Sequence, residues 1–301
     1  MLKHVAIVSQ SAAVPLDMLT PVAAAIQKQV TRDFGPIWNI AATVDAFSGL
    51  DQVPIGYWTI VIRDDIGSDN EGFHRKGSDG QPFALVRPST NWTINVSHEC
   101  LEMLADPWGN GRVAGASPKV AQGRVAFLVE VCDPCQNPTY AYLVNGLPLS
   151  DFFTPQYFDP VTVSAVRYSF TGALSAPREV MDGGYLTWQV PDTQHLWQLR
   201  IDDGKRRLVD LGPMPTELAS LRQHSDRCSA KFRTRVFRKV RFRGGPLVSA
   251  RAVPGGRLVS SRLKVGRSDL DSRLGAAAES LQRAVDALCD SSTPSMRSER
   301  R

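Results

Sequence analysis

The chain has 301 residues, 43% of them hydrophobic and 22% charged, with five cysteines and a formal net charge of +5. These values are ordinary for a globular domain with one sizeable core and room for a satellite. No apolar run reaches the roughly 18 residues of a membrane span. The odd, scattered cysteines argue against a disulfide framework, and with no signal-peptide pattern at the start the cytoplasm is the expected location.

His4-Val5-Ala6-Ile7-Val8 is a short apolar run that predicts a buried first strand. Thr20-Pro21 predicts a helix start, a capping hydroxyl followed by proline at the first helical position. Val22, Ile26, Val30 and Phe34 follow at helical spacing, and Gly35-Pro36 predicts the stop. Further strands are predicted at Ala42-Thr43-Val44-Asp45-Ala46-Phe47 and at Tyr57-Trp58-Thr59-Ile60-Val61-Ile62. A polar glycine loop over residues 67–80 carries Gly72-Phe73-His74. Phe83-Ala84-Leu85-Val86, between Pro82 and Pro88, predicts an edge strand.

Next comes Ser97-His98-Glu99-Cys100-Leu101-Glu102-Met103-Leu104-Ala105-Asp106-Pro107. At about 100° per residue, Glu102, Asp106 and Glu99 fall within roughly 100° of His98 on a helix. Val96, Cys100, Met103 and Leu104 point the other way, and proline ends the helix at Asp106. In an H-E-x-x-H helix two histidines hold zinc and the glutamate activates water. Here Glu102 stands where the second histidine would be, a hard oxygen donor that moves preference toward magnesium, manganese or calcium. The competing reading is a solvated acidic face with a hydrogen-bonded histidine.

The order strand, helix, strand, strand, edge strand, helix over roughly residues 4–107 resembles the minimal core of the zincin metallopeptidases. That resemblance implies an edge strand bordering a substrate cleft and a following helix that carries metal ligands. The chain also resembles a group of bacterial and phage proteins of uncharacterised activity. The marks it shares with them are Gln29-Val30-Thr31-Arg32-Asp33-Phe34-Gly35-Pro36-Ile37-Trp38, Gly72-Phe73-His74, the His98 segment, Glu130-Val131-Cys132-Asp133-Pro134, and Ser150-Asp151-Phe152 through to Phe158.

Residues 124–131 predict a strand that delivers Glu130 and Asp133 at its end, and Asn145-Gly146 predicts a turn. More strands are predicted at Val161-Thr162-Val163, at 185–190 and at 196–199. Residues 1–221 hold 16 Lys/Arg against 23 Asp/Glu, whereas residues 222–267 hold 14 against the single acid Asp226. Basic and apolar residues alternate over 231–243, a pattern that suits phosphate backbones or an arm that offsets an acidic body. Leu270, Leu274, Ala277, Leu281, Val285 and Leu288 predict an amphipathic helix capped by Ser268.

The expected fold is α/β (α+β): a zincin-like mixed sheet with an active-site helix over 1–159, a β-rich extension over 160–221, then a basic arm and helix over 222–301. A catalytic metal needs about three protein ligands and an open position. His98 and Glu102 are two, and Glu130 or Asp133 the third, for zinc or another divalent cation. Glu99 would be the general base, and His74 would line the cleft as a ligand or an oxyanion-stabilising donor. Cys132 and Cys135 have CxxC spacing but no second pair to complete a four-cysteine site. The expected function is a metal-dependent hydrolase acting on a peptide or protein, or a degenerate relative of one. The alternatives are a non-catalytic phage or structural interaction protein with a structural ion, and a nucleic-acid binder working through 222–267.

Overall fold

Val5, Ala6, Ile7 and Val8 are all fully buried, so neither face of the first strand meets water. Such a strand belongs in the middle of a parallel sheet. β1 (Lys3–Ser9) accordingly pairs in parallel with β2 (Ala42–Phe47) on one side and β3 (Trp58–Ile62) on the other. The structure, a computed structural model, describes residues 2–233 and Arg283.

Between β1 and β2 the chain runs through α1 (Leu16–Lys28), a π-helical segment (Gln29–Phe34) and α2 (Gly35–Trp38). The expected start at Thr20 is therefore one turn late. Pro21 lies inside the helix on its exposed side, where water can satisfy the carbonyl that loses its partner, while Leu19, Val22, Ala23 and Ile26 bury the other face. Gly35 does not stop the helix either. A Cβ there would lie 2.5 Å from the Ile40 carbonyl oxygen and 2.7 Å from that of Val30, so the glycine serves close backbone approach. The helix ends at Asn39, in the left-handed conformation with φ 54°.

β4 (Gly72–Lys76) and β5 (Pro82–Val86) complete a five-stranded sheet in the order β2-β1-β3-β5-β4, parallel except for β4. The expected edge is corrected by one strand. β5 is interior, with its proline at the first strand position, and the segment expected as a loop around His74 is the edge strand. Alternation explains the change: Phe73 packs with Val61, Ile66, Phe83 and Leu85, while Gly72 and His74 face the opposite way. α3 (Trp92–Ala105) follows and packs on that second face.

A second sheet, wholly antiparallel, has the order β12-β11-β10-β7-β6. It is built from β6 (Arg112–Ala116), β7 (Arg124–Leu128), β10 (Tyr185–Gln189), β11 (His195–Asp202) and β12 (Lys205–Pro213), while β8 (Tyr142–Val144) and β9 (Leu147–Leu149) form a separate two-stranded hairpin. The β7–β10 pairing, Trp188 with Phe127, joins residues on either side of the expected boundary at 159, which therefore cuts through one sheet. Apolar side chains from both sheets share one continuous core. Val161 and Val163 are exposed and form no strand.

α4 (Leu221–Arg233) closes the described chain, with Leu221 packed on Leu128 and Leu196. The basic run from 234 onward and the amphipathic helix expected over 270–288 lie outside the described residues, Arg283 apart. No helix among the described residues is long and apolar enough to cross a membrane.

Candidate metal centre

The five sequence marks meet around α3. Ser97 on that helix donates to Gln29 Oε1 (2.7 Å) and accepts from the Ser150 amide (3.1 Å), while Gln29 Nε2 donates to the Ser150 carbonyl (2.9 Å). Phe34 packs edge-on against Phe152, and Trp38 Nε1 donates to the Phe153 carbonyl (3.1 Å). The Phe153 amide donates to the carbonyl of Val131 at 2.7 Å, which ties in the 130–134 turn.

Every residue of α3 from Val96 to Leu104 is buried, so the reading of a solvated acidic face is overturned. Val96, Cys100, Met103 and Leu104 enter the core as expected, but the polar arc is also covered. His98 keeps 7% of its surface exposed, Glu99 3% and Glu102 none. The one-turn spacing brings His98 Nε2 within 3.1 Å of Glu102 Oε2, and the following turn sets Asp133 Oδ1 3.4 Å from the same nitrogen. The Cys132 amide donates to Glu102 Oε1 (3.0 Å), and its thiol donates to the His98 carbonyl (3.8 Å). Gly184 permits this turn to sit so close to the second sheet, because a Cβ there would lie 2.3 Å from the Pro134 carbonyl oxygen.

Glu99 points toward the edge strand. Its Oε2 stands 3.5 Å from His74 Nδ1, and its Oε1 lies where a Cβ on Gly72 would approach to 3.1 Å. His74 is buried behind Glu99 and donates through Nε2 to the Asp106 carbonyl (2.9 Å), so it does not form the cleft wall expected of it. Asp106 leaves the arc altogether: its carboxylate accepts from the Gly111 amide at 2.6 Å and shapes the turn after the helix.

The residue that sequence reasoning missed is Arg222. From the first turn of α4 its guanidinium reaches Glu102 and Glu130 through Nη1, Glu99 through Nη2 (3.0 Å) and Asp226 through Nε (3.4 Å). All of these side chains are buried. Arg222 and Asp226 stand one helical turn apart, a recognisable pair. The surplus of acids in residues 1–221 was the other signal that a cation must come from elsewhere.

These contacts set the charge states. Burial alone opposes ionisation of Glu102 and Glu99. The Arg222 guanidinium and His98 outweigh it and hold both below the usual carboxylate range, with His74 adding to the effect at Glu99 through its hydrogen bond. Burial likewise opposes a charge on His98, but Glu102, the hydrogen bond to Asp133 and Glu99 push its pKa up to about 10. Burial drives the Cys132 thiol well above its ordinary value.

Two groups of donors meet the geometry of a cation site, each with all its ligand atoms within 4.8 Å of one another: His98, Glu102 and Cys132, and His74, Glu102 and Glu130. Donors bound at about 2.0–2.2 Å to one tetrahedral ion stand roughly 3.3–3.6 Å apart, close to the His98–Glu102 and His98–Asp133 separations. The balance of charge also fits. With His98 and His74 neutral, as metal ligands must be, the buried carboxylates of Glu99, Glu102 and Glu130 outnumber the one guanidinium of Arg222 that they share. Buried charge of that kind is paired or coordinates metal. His98 and Glu99 also line a cavity of about 190 Å³, together with Glu71, Gly72, Gln136 and Pro138. Compared with protein-family models, with curated proteins and with solved structures, the chain matches none. It is a mixed α/β protein with a buried His/Glu/Cys group able to hold a metal ion.

Proposed function

We propose that the chain is a metal-dependent hydrolase of the peptidase type, with its centre at the floor of the cavity beside β4. The observation that carries this reading is the convergence of His98 Nε2 and Glu102 Oε2 at 3.1 Å, with Glu99 adjoining them on the cavity wall. His98 and Glu102 would hold the cation, with Asp133 or Cys132 as the nearest further donor. Bound there, a divalent ion polarises a carbonyl and acidifies water. Glu99 accepts the proton of the attacking water and passes it to the leaving amine. Its Oε2 is fixed by Arg222 and His74, so Oε1 is the oxygen that does this work. The antiparallel edge strand ahead of α3 supports the zincin resemblance and an extended peptide as substrate.

Purified protein should carry stoichiometric metal that His98→Ala loses. Glu99→Gln, which also neutralises a partner of Arg222, should melt at a lower temperature yet keep its metal, while hydrolysis of a peptide library disappears. Metal-free wild-type protein under metal-replete conditions would end the proposal. One observation favours a second reading, a structural ion in a non-catalytic body: the ion pair with Arg222 holds Glu99 ionised and makes it a weak base. Under that reading chelator lowers the melting temperature and no peptide is cut.

A further inference from the structure

We infer that Arg222 is a built-in cation: its guanidinium closes a second cation site formed by His74, Glu102 and Glu130. The inference extends the metal reading of His98 and Glu102 without depending on it.

The two donor groups share Glu102. A carboxylate common to two adjacent cation sites can bridge the two ions of a dinuclear centre, which stand about 3.5–4 Å apart. The two groups differ in access. His98 opens the first to the cavity, whereas His74 and Glu130 are buried and do not line it. In that buried half, Arg222 Nη1 lies against Glu102 and Glu130 together.

The arginine is seated by its backbone. Its amide donates to the Gly109 carbonyl (3.1 Å), and the preceding amide of Leu221 donates to Asn110 Oδ1 (3.1 Å). Gly109, at φ +63°, leaves room for it, since a Cβ there would stand 2.8 Å from Arg222 Cβ. Ser225, one turn on, is held by Gln198 at 2.9 Å. The guanidinium is thus delivered by a fixed piece of chain, with one charge and a planar fork of donors.

It does not saturate the site. Glu130 Oε1 is buried with no hydrogen-bond partner among the described residues, in a side chain only 4% exposed. Without the guanidinium, an imidazole and two carboxylates would enclose an acidic space suited to a borderline divalent ion.

The test counts bound Mn2+ or Zn2+ per chain, by elemental analysis after dialysis and by calorimetric titration. Arg222→Ala should bind one equivalent more than wild type. Arg222→Lys, which keeps the charge, should not, and Glu130→Gln added to Arg222→Ala should abolish the gain. If Arg222→Ala is unfolded without metal, either ion should restore its thermal transition. A folded Arg222→Ala with the wild-type count overturns the inference, as does an unfolded one that neither ion rescues. Wild type without metal and Arg222→Ala with one equivalent would end the hydrolase reading and leave this inference standing. One equivalent in both would do the reverse.

Discussion

Glu102→Gln is the substitution that separates a buried charge hub from a decorative acid. Glu102 has no exposed surface and accepts from the Cys132 amide at 3.0 Å, from His98 at 3.1 Å and from Arg222. Glutamine keeps the shape and one acceptor but removes the charge and turns an NH2 group toward two cations. Neutralising one partner of a buried ion pair costs about 3–5 kcal/mol. For a domain of this size each kcal/mol lowers the melting temperature by roughly 2–4 °C, so a drop of about 6–20 °C is expected. Among the described residues Glu130 has Arg222 as its one side-chain partner and its other oxygen has none, so Glu130→Gln should cost less. Exposed Glu217 is the control, with a change within about 0.5 kcal/mol for Glu217→Gln. Scanning calorimetry on chelator-treated protein gives all three values. A Glu102→Gln transition within about 2 °C of wild type, too small for a buried ion pair, would refute the hub, as would Glu130→Gln proving the more damaging.

Three further outcomes follow from the same contacts. Gly72→Ala places a methyl 3.1 Å from Glu99 Cγ and Oε1. It should lower kcat about tenfold to a hundredfold by displacing the base while the melting temperature barely moves; unchanged kcat with a lowered melting temperature would contradict this. Gly184→Ala meets backbone rather than a yielding side chain, 2.3 Å from the Pro134 oxygen and 2.9 Å from that of Asp133. It should destabilise by about 1–3 kcal/mol and weaken metal binding, measured by calorimetry against Gly204→Ala, where only the positive φ is strained. The third outcome is a pH dependence of the metal-free protein. His98 rises from 6.5 to about 10 on folding, so its contribution is full below pH 6.5 and disappears as pH climbs through 10. Glu99 and Glu102 fall below their ordinary 4.5, so theirs is present above that pH and is lost on acidification. The urea midpoint should therefore peak between about pH 4.5 and 6.5. Its alkaline decline should vanish in His98→Gln, and a decline that persists there would assign it to other groups.

What could be read from the sequence was what depends on neighbours along the chain. The meeting of His98 and Glu102 is a consequence of helical pitch, and the buried strands at Val5 and Ile60 announce themselves as unbroken apolar runs. The turn at Asn145-Gly146, both at positive φ, is equally local. Sheet order is not. Prolines around Phe83 marked an edge, yet β4 came to lie outside β5, because Phe73 found a pocket on one face while Gly72 and His74 lay under α3. Gly35 reads as a stop until the Ile40 and Val30 carbonyls that crowd it are known.

The acidic arc of α3 was legible as an arc but not as an interior. An amphipathic pattern identifies the polar face, and ordinarily that face meets water. Here the turn at 130–134 and the first turn of α4 cover it, and a cover is affordable only with a cation inside. Arg222 lies 120 positions beyond Glu102, at the front of a segment whose composition points outward to phosphates. No local pattern could recruit it to the core. Its recruitment follows from charge alone: a helix that buries Glu99 and Glu102 against Glu130 must take a positive group from somewhere. The chain supplies a guanidinium on the buried side and leaves the imidazole of His98 on the open side, where a metal ion can reach it.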